Sequence, residues 1–299
     1  MGSNVAVIDL GSNTFHILVC RLGEGVFYQV HRQRLFIGLA EGGITIINDN
    51  AIVRAREGFL AFQQIINNHN VDQVKIIGTA ALRSASNAKV IEDLCLEILG
   101  HPIEIVNGGR EAELIYKGVS QLADCQAGHH IIMDIGGGST EFIVIKDGVP
   151  IWSKSYNIGV AVLYDMFHKS EPIALSEISE LNSYLTTTLV ELKEITSTLN
   201  IQQLIGASGS FEVVVTMNDS QLSAHEVMSY AIDDFADIAH EVIASDLTTR
   251  TEMPGMPASR VKLIVVAFLL MRYTLDLVKP KTIIVSPYAL KEGVLSEML

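Results

Sequence analysis

Two stretches of this chain share one pattern. Residues 5 to 19 read VAVIDLGSNTFHILV and residues 131 to 145 read IIMDIGGGSTEFIVI. Each is a β-branched run, an Asp, a glycine-bearing turn and a second β-branched run. Aligning Asp9 with Asp134 sets DLGSNTFHILV against DIGGGSTEFIV, with an offset of one residue inside the turn. A further strand-like piece follows each at similar distance, GVFYQVHR and GVPIWSKSY. An internal duplication is the economical reading, with two similarly built halves that each open on a hairpin. The 299 residues exceed what one core usually supports. The boundary is expected between Leu122 and Gly128, giving units 1–124 and 125–299.

After each opening the chain alternates helical and strand-like patterns. Apolar residues at Ile52, Ala55, Phe59, Phe62 and Ile66 predict a helix over 50–69. VKIIGT (74–79) predicts a buried strand, AKVIEDLCLEIL a helix, IEIV (103–106) a strand, and EAELIYKGV a helix starting near Arg110. In the second half, a stripe from Ile178 to Leu199 predicts one long helix, and QLIGA (203–207) a strand. Helices are expected over 225–244 and 258–275, a strand at KTIIVS (281–286), and a last helix after Pro287, over about 288–299. The fold class is therefore α/β, with partly parallel sheets in both halves.

Composition removes several function classes. Net charge is −13, so a basic nucleic-acid-binding surface is not expected. The longest apolar run, Leu263–Met271, falls short of the roughly 20 residues needed to cross a bilayer. The N-terminus lacks a basic region before its first strand, and the residues after Gly2 lack the myristoylation pattern, so neither signal peptide nor membrane anchor is expected. Cys20, Cys95 and Cys125 are widely spaced, which fits buried thiols in a reducing cytoplasm. The hydrophobic content of 48% allows a homodimer without requiring one.

The glycine turns carry the chemistry. A dinucleotide fingerprint needs its glycines to open a helix, but TEFIVI follows them here; no Gly-Lys-Ser/Thr makes a Walker loop either. What remains is a turn whose amides are uncovered by side chains and can converge on a phosphate. Ser12, Thr14, Ser139 and Thr140 add hydroxyls. An Asp at the end of a buried strand is costly without a cation or hydrogen bonds. Asp9 and Asp134 facing one cleft would make a hard-oxygen Mg²⁺ site, with water completing it.

Three further segments fit an anionic ligand. Thr79 ends a strand, and Arg83 follows four residues on, offering a permanent bidentate charge. Gly209 and Ser210 stand at an expected helix start. Glu111 lies in the first turn of a helix near a strand's carboxyl end. It reads equally as a general base and as a simple complement to the helix dipole. His16, alternating with Phe15 and Ile17 and without partners at ligand spacing, reads as structural.

AVIDLGSNTFHILV, IGTAALR, GGREAELIYKGV, IIMDIGGGSTEFIVI, GASGS and ALKEGVL occur in this order. The set resembles the exopolyphosphatase and guanosine pentaphosphate phosphohydrolase (Ppx/GppA) family, of the actin, hexokinase and heat-shock ATPase superfamily, in a short, two-domain form. The resemblance implies two duplicated ribonuclease-H-like domains around a central cleft, with the last helix, about 288–299, packing back on the first. It implies that Glu111 activates water, and that Asp134 and Glu141 serve Mg²⁺ and the water. Asp9, Gly11, Ser12, Asn13, Thr14, Arg83, Gly136, Gly137, Gly138, Ser139, Gly209 and Ser210 match phosphate-binding positions. Arg110, Pro287 and Lys291 depart from the family pattern. The implied activity is Mg²⁺-assisted hydrolysis of a terminal phosphoanhydride of polyphosphate or a phosphorylated guanosine nucleotide, with another divalent cation as the alternative metal. A small-metabolite kinase of the same superfamily and a non-catalytic polyphosphate or alarmone sensor are the competing expectations.

Overall fold

The computed structural model describes residues 3–23, 25–218, 220–223 and 225–299. Met1 and Gly2, on which the leader and lipidation expectations partly fell, lie outside the described residues. The first half contains β1 (Asn4–Leu10), β2 (Thr14–Gly23), β3 (Val26–Phe36), α1 (Asp49–Asn68), β4 (Gln73–Gly78), α2 (Ala80–Ser84), α3 (Lys89–Leu99), β5 (Glu104–Ile105) and α4 (Gly108–Val119). The second contains β6 (His129–Ile135), β7 (Thr140–Lys146), β8 (Val149–Tyr156), α5 (Val160–Phe167), α6 (Leu175–Thr188), α7 (Val190–Thr196), β9 (Ile201–Gly206), α8 (Gly209–Met217), β10 (Met228–Tyr230), α9 (Ile232–Ala244), α10 (Leu247–Glu252), α11 (Ile264–Val278), β11 (Thr282–Val285) and α12 (Leu290–Ser296).

Among the described residues the first sheet runs β3-β2-β1-β4-β5 and the second β8-β7-β6-β9-β11-β10. In each, an antiparallel hairpin and a third antiparallel strand continue into parallel strands. Strand for strand, β6, β7, β8, β9 and β11 repeat β1, β2, β3, β4 and β5, and β10 adds an antiparallel edge. This is a duplicated ribonuclease-H-like α/β fold. The two opening turns match without the offset read from the sequence. Asp9 pairs with His16 and Asp134 with Glu141, seven residues on in both cases. Gly11 N donates to Thr14 O at 3.1 Å, and Gly136 N donates to Ser139 O at 2.9 Å, closing turns of equal length.

The core divides into three layers. Helices α1 and α3 cover the outer face of the first sheet, with Phe15, Phe59 and Phe62 fully buried. Helices α5 to α9 and α11 cover the outer face of the second. Between the sheets, α4 and α12 share one apolar layer with Val5, Val7, Ile132 and Ile143. Gly118 of α4 meets the Ala289 carbonyl just before α12, and Gly293 of α12 meets the Leu114 carbonyl; a side chain at either would overlap that carbonyl. The last helix thus packs on α4, from the other half of the sequence.

Several element boundaries moved. The 178–199 stripe is two helices split at Leu189, although Leu181, Leu185, Leu189 and Leu192 all stay buried. Thr186 and Thr187 donate their hydroxyls to the carbonyls of Asn182 and Tyr184, which competes with the helix ladder just before the break. Residues 228–230 form an edge strand rather than helix, and α11 begins at Ile264 after a turn. Helix α4 starts two residues early because Asn107 caps it, its side chain accepting from Arg110 N at 2.9 Å. The final helix starts at Leu290, with Ala289 N donating to Glu292 Oε2 at 2.9 Å. No helix among the described residues is long and apolar enough to cross a membrane, and the three cysteines are free and buried.

Candidate active site

Both hairpin turns open onto a single cleft of about 440 Å³. Its lining includes Asp9, Gly11, Ser12, Asn13, Thr14 and Thr79 from the first half, Asp134, Gly136, Gly137, Gly138, Ser139 and Glu141 from the second, and Glu111 and Gly209. Asp9 and Asp134 end equivalent strands and face each other closely enough that the charge of one raises the pKa of the other.

The turns touch. A Cβ on Gly138 would lie 2.6 Å from Ser12 Oγ, and one on Gly137 would lie 2.9 Å from Asn13 N. Ser12 and Asn13 occupy the matching positions of the first turn, so only the second needs the extra glycines. The carbonyls of Gly136 and Gly137 accept from Val160 N and Ala161 N at 3.0 and 2.9 Å, tying that turn to α5. In the first turn, the Asn13 carbonyl accepts from Ile37 N and Gly38 N, while Ser12 Oγ accepts from Ala81 N at 3.1 Å.

Four carboxylates converge. Glu111 projects from the first turn of α4 and accepts at Oε2 from Arg83 Nη1, 3.0 Å away. Arg83 also donates to Val106 O at 2.7 Å. Glu141 accepts from Ser155 Oγ at 2.6 Å. Both glutamates are buried, 6% and 2% exposed, so their ionisation is sensitive to each neighbour. Burial first, and then the charge of Glu141, hold the Glu111 carboxyl well above its ordinary range, with Arg83 opposing. Burial raises Glu141, against hydrogen bonds from Ser155 and Ser139. Burial likewise raises Asp134, helped by Glu141 and Asp9, and raises Asp9, opposed by Lys291. A cluster of like charges that resists ionisation is a site that wants a cation or a proton. Among the described residues no group of three His, Cys, Asp or Glu side chains has metal-holding geometry. Two carboxylates with water still suit Mg²⁺, which commonly takes one or two protein carboxylates.

Two expected residues stand elsewhere. Arg83 turns its guanidinium to Glu111 and lies outside the cleft lining. Ser210 is buried within α8, also outside it. The lining adds residues that the sequence did not single out for this role: His16, Arg32, Arg34, Glu212 and Arg260, with Lys291 from α12. His16 Nε2 is 2.8 Å from Thr14 Oγ1, and Lys291 Nζ is 3.4 Å from His16 Nδ1. Burial, then Lys291 and nearby arginines, hold the imidazole well below its ordinary pKa, so it is neutral and part of the cleft wall. Arg34 donates to Glu212 at 3.1 Å. Burial and Arg34 push Arg260 down to about 10. Alternation of Arg32 and Arg34 along β3 was a usable signal, since residues two apart share one face of a strand. Nothing local marks Arg260.

Two duplicated ribonuclease-H-like halves, each with an Asp before a glycine-bearing hairpin turn, facing one cleft, define the class of protein. The model of the Ppx/GppA phosphatase family matches residues 18–299, and the chain belongs to that family. It is similar to the crystal structure of an exopolyphosphatase from Cytophaga hutchinsonii, with 34% identity and a TM-score of 0.94 over 99% of this chain and 97% of that one. The Aquifex aeolicus PPX-GPPA enzyme shares the fold at a TM-score of 0.80 and 20% identity, over 99% of each chain. A guanosine-5'-triphosphate,3'-diphosphate pyrophosphatase from Pseudoalteromonas translucida is 29% identical over 98% of this chain. The chain spans about three fifths (59%) of that relative's length.

Proposed function

We propose that this protein hydrolyses terminal phosphoanhydride bonds, releasing orthophosphate, with inorganic polyphosphate as the favoured substrate. The observation that carries the reading is the buried Glu111–Glu141 pair lining one cleft with two glycine-bearing turns. A glutamate whose pKa is raised toward neutrality is a competent general base. Arg83 holds Glu111 in place, and Ser155 holds Glu141. The turn amides at 137–139 and at 12 and 13 cradle the terminal phosphoryl group, those of Gly136 and Gly11 being spent on closing the turns. Glu111 takes the proton of a water aligned with the bond to be broken, and Glu141 orients that water.

Asp9 and Asp134 are the residues that would hold a divalent cation, and Glu141 lies beside Asp134 on the neighbouring strand. Mg²⁺ bound there supplies neutralisation of phosphoryl charge. The wall built from Arg34, Arg260 and Lys291 supports the remainder of an anionic chain. Among the described residues the cleft lining carries no Phe, Tyr or Trp on which a guanine could stack, which favours polyphosphate over a guanosine nucleotide. The test is orthophosphate release from long polyphosphate, short polyphosphate and guanosine pentaphosphate, each with and without Mg²⁺. Release from none of them, at any metal concentration, overturns the reading; faster release from the nucleotide overturns the preference.

A further inference from the structure

A second cavity, a groove of about 340 Å³, lies beside the first and is lined by Arg83, Gly108, Ser153, Lys154, Ser155 and Asn157. Its residues reach the catalytic pair from the opposite side. Arg83 Nη1 is 3.0 Å from Glu111 Oε2, and Ser155 Oγ is 2.6 Å from Glu141 Oε1. Glu111 and Glu141 themselves line the main cleft. Each of these side-chain pairs thus has one member in the lining of either cavity. At Gly108, α4 presses so closely on β8 that a Cβ would lie 2.5 Å from Ser155 Cβ, which fixes the partition in place. Among the described residues the groove lining holds two cations and no carboxylate.

We propose that this groove is the exit for orthophosphate. The inference rests on the hydrolase reading above. A chain cut from its end lies with its last phosphoryl group against the carboxylates and the rest of its length filling the cleft mouth. The severed orthophosphate is then the deepest group, behind a polyanion that repels it. Leaving by the mouth requires the shortened chain to depart first. The groove offers a cationic route on the far side, through Arg83 and past Lys154. Both cations have carboxylate partners, Glu111 for Arg83 and Glu191 for Lys154, so an anion passes between held charges rather than being trapped by free ones.

The experiment fills the rim. Ser153→Trp and Asn157→Trp place bulk at exposed positions of the groove lining, and Lys154→Glu reverses the charge of the route. Single-turnover shortening of polyphosphate should match the unaltered protein in both tryptophan variants. Steady-state orthophosphate release, read with a phosphate sensor, should fall about tenfold, because exit becomes the slow step. Lys154→Glu should slow release in the same direction without added bulk. Circular dichroism and thermal midpoints establish that each variant is folded. Release at the unaltered rate from all folded variants overturns the exit while leaving the hydrolase reading intact. An unaltered protein that frees no orthophosphate overturns both.

Discussion

Asp9, His16 and Arg34 lie side by side across β1, β2 and β3; Asp134, Glu141 and Ser155 lie side by side across β6, β7 and β8. The backbone is the same and the chemistry is opposite. The first row sets one carboxylate beside a neutral imidazole and an arginine, with Lys291 near. The second sets two carboxylates together with a hydroxyl that donates to one of them. Glu111, though encoded in the first half, reaches over on α4 and joins the second row. Duplication therefore supplied a symmetric cradle, and substitutions at equivalent positions divided the labour. One wall carries the cations and the other carries the carboxylates proposed to handle the water. The turns divide in the same way: side chains at Ser12 and Asn13 occupy the space that glycines at 137 and 138 vacate.

The sharpest break of this comparison is at the water-handling row. Glu111→Gln should keep the fold and lose roughly 10²–10⁴ in turnover. Orthophosphate release unchanged in a folded variant removes Glu111 as the base. Glu141→His, which rewrites the second row as a copy of the first, should fall in the same range, whereas His16→Ala should act mainly on substrate binding, raising KM with a smaller loss in kcat. Equal effects of these two changes on kcat would erase the distinction between the walls.

Gly138→Ala tests the contact between the turns. Its Cβ would lie 2.6 Å from Ser12 Oγ and 2.7 Å from Ile44 Cδ1. The variant should lose about 1–3 kcal/mol of stability, read by denaturant unfolding. Combining it with Ser12→Gly should restore part of that. No recovery in the pair would place the strain elsewhere.

The smallest effect expected is on thermal stability. Asp9, Glu111, Asp134 and Glu141 all have carboxyl pKa values raised by folding. Groups of this kind favour the folded state fully below their unfolded pKa of about 4, and that contribution is lost as pH rises through the raised values. In chelator, the thermal midpoint should therefore decline as pH rises above about 4, toward neutrality. Mg²⁺ should reverse the slope by stabilising the ionised pair. Asp9→Asn with Asp134→Asn should flatten the decline and abolish the Mg²⁺ shift. A midpoint independent of both pH and Mg²⁺ would argue against a cation between the aspartates.

Much was legible in the chain because it is written locally. Asp9 and Asp134 before glycine turns, β-branched runs on both sides, and alternation of helix and strand are patterns of a few neighbours, fixed by backbone sterics and burial. They specify two similarly built α/β halves, each opening on a hairpin with a glycine turn. The order of six short segments carried the family. What stayed hidden depends on register and on distant elements. Ser155 reaches Glu141 because β8 lies beside β7 with a bulge at Val144/Ile145, which shifts the pairing. Arg83 spends its charge on Glu111, 28 residues away, rather than on the cleft. Arg260 and Lys291 enter the wall from around α11 and α12. Periodicity reports which face of an element is buried; it does not report which charges meet there. That is decided when the sheets close on α4 and α12, where Gly118 and Gly293 allow the backbones to touch, and the buried charges of the cleft act on one another at short range.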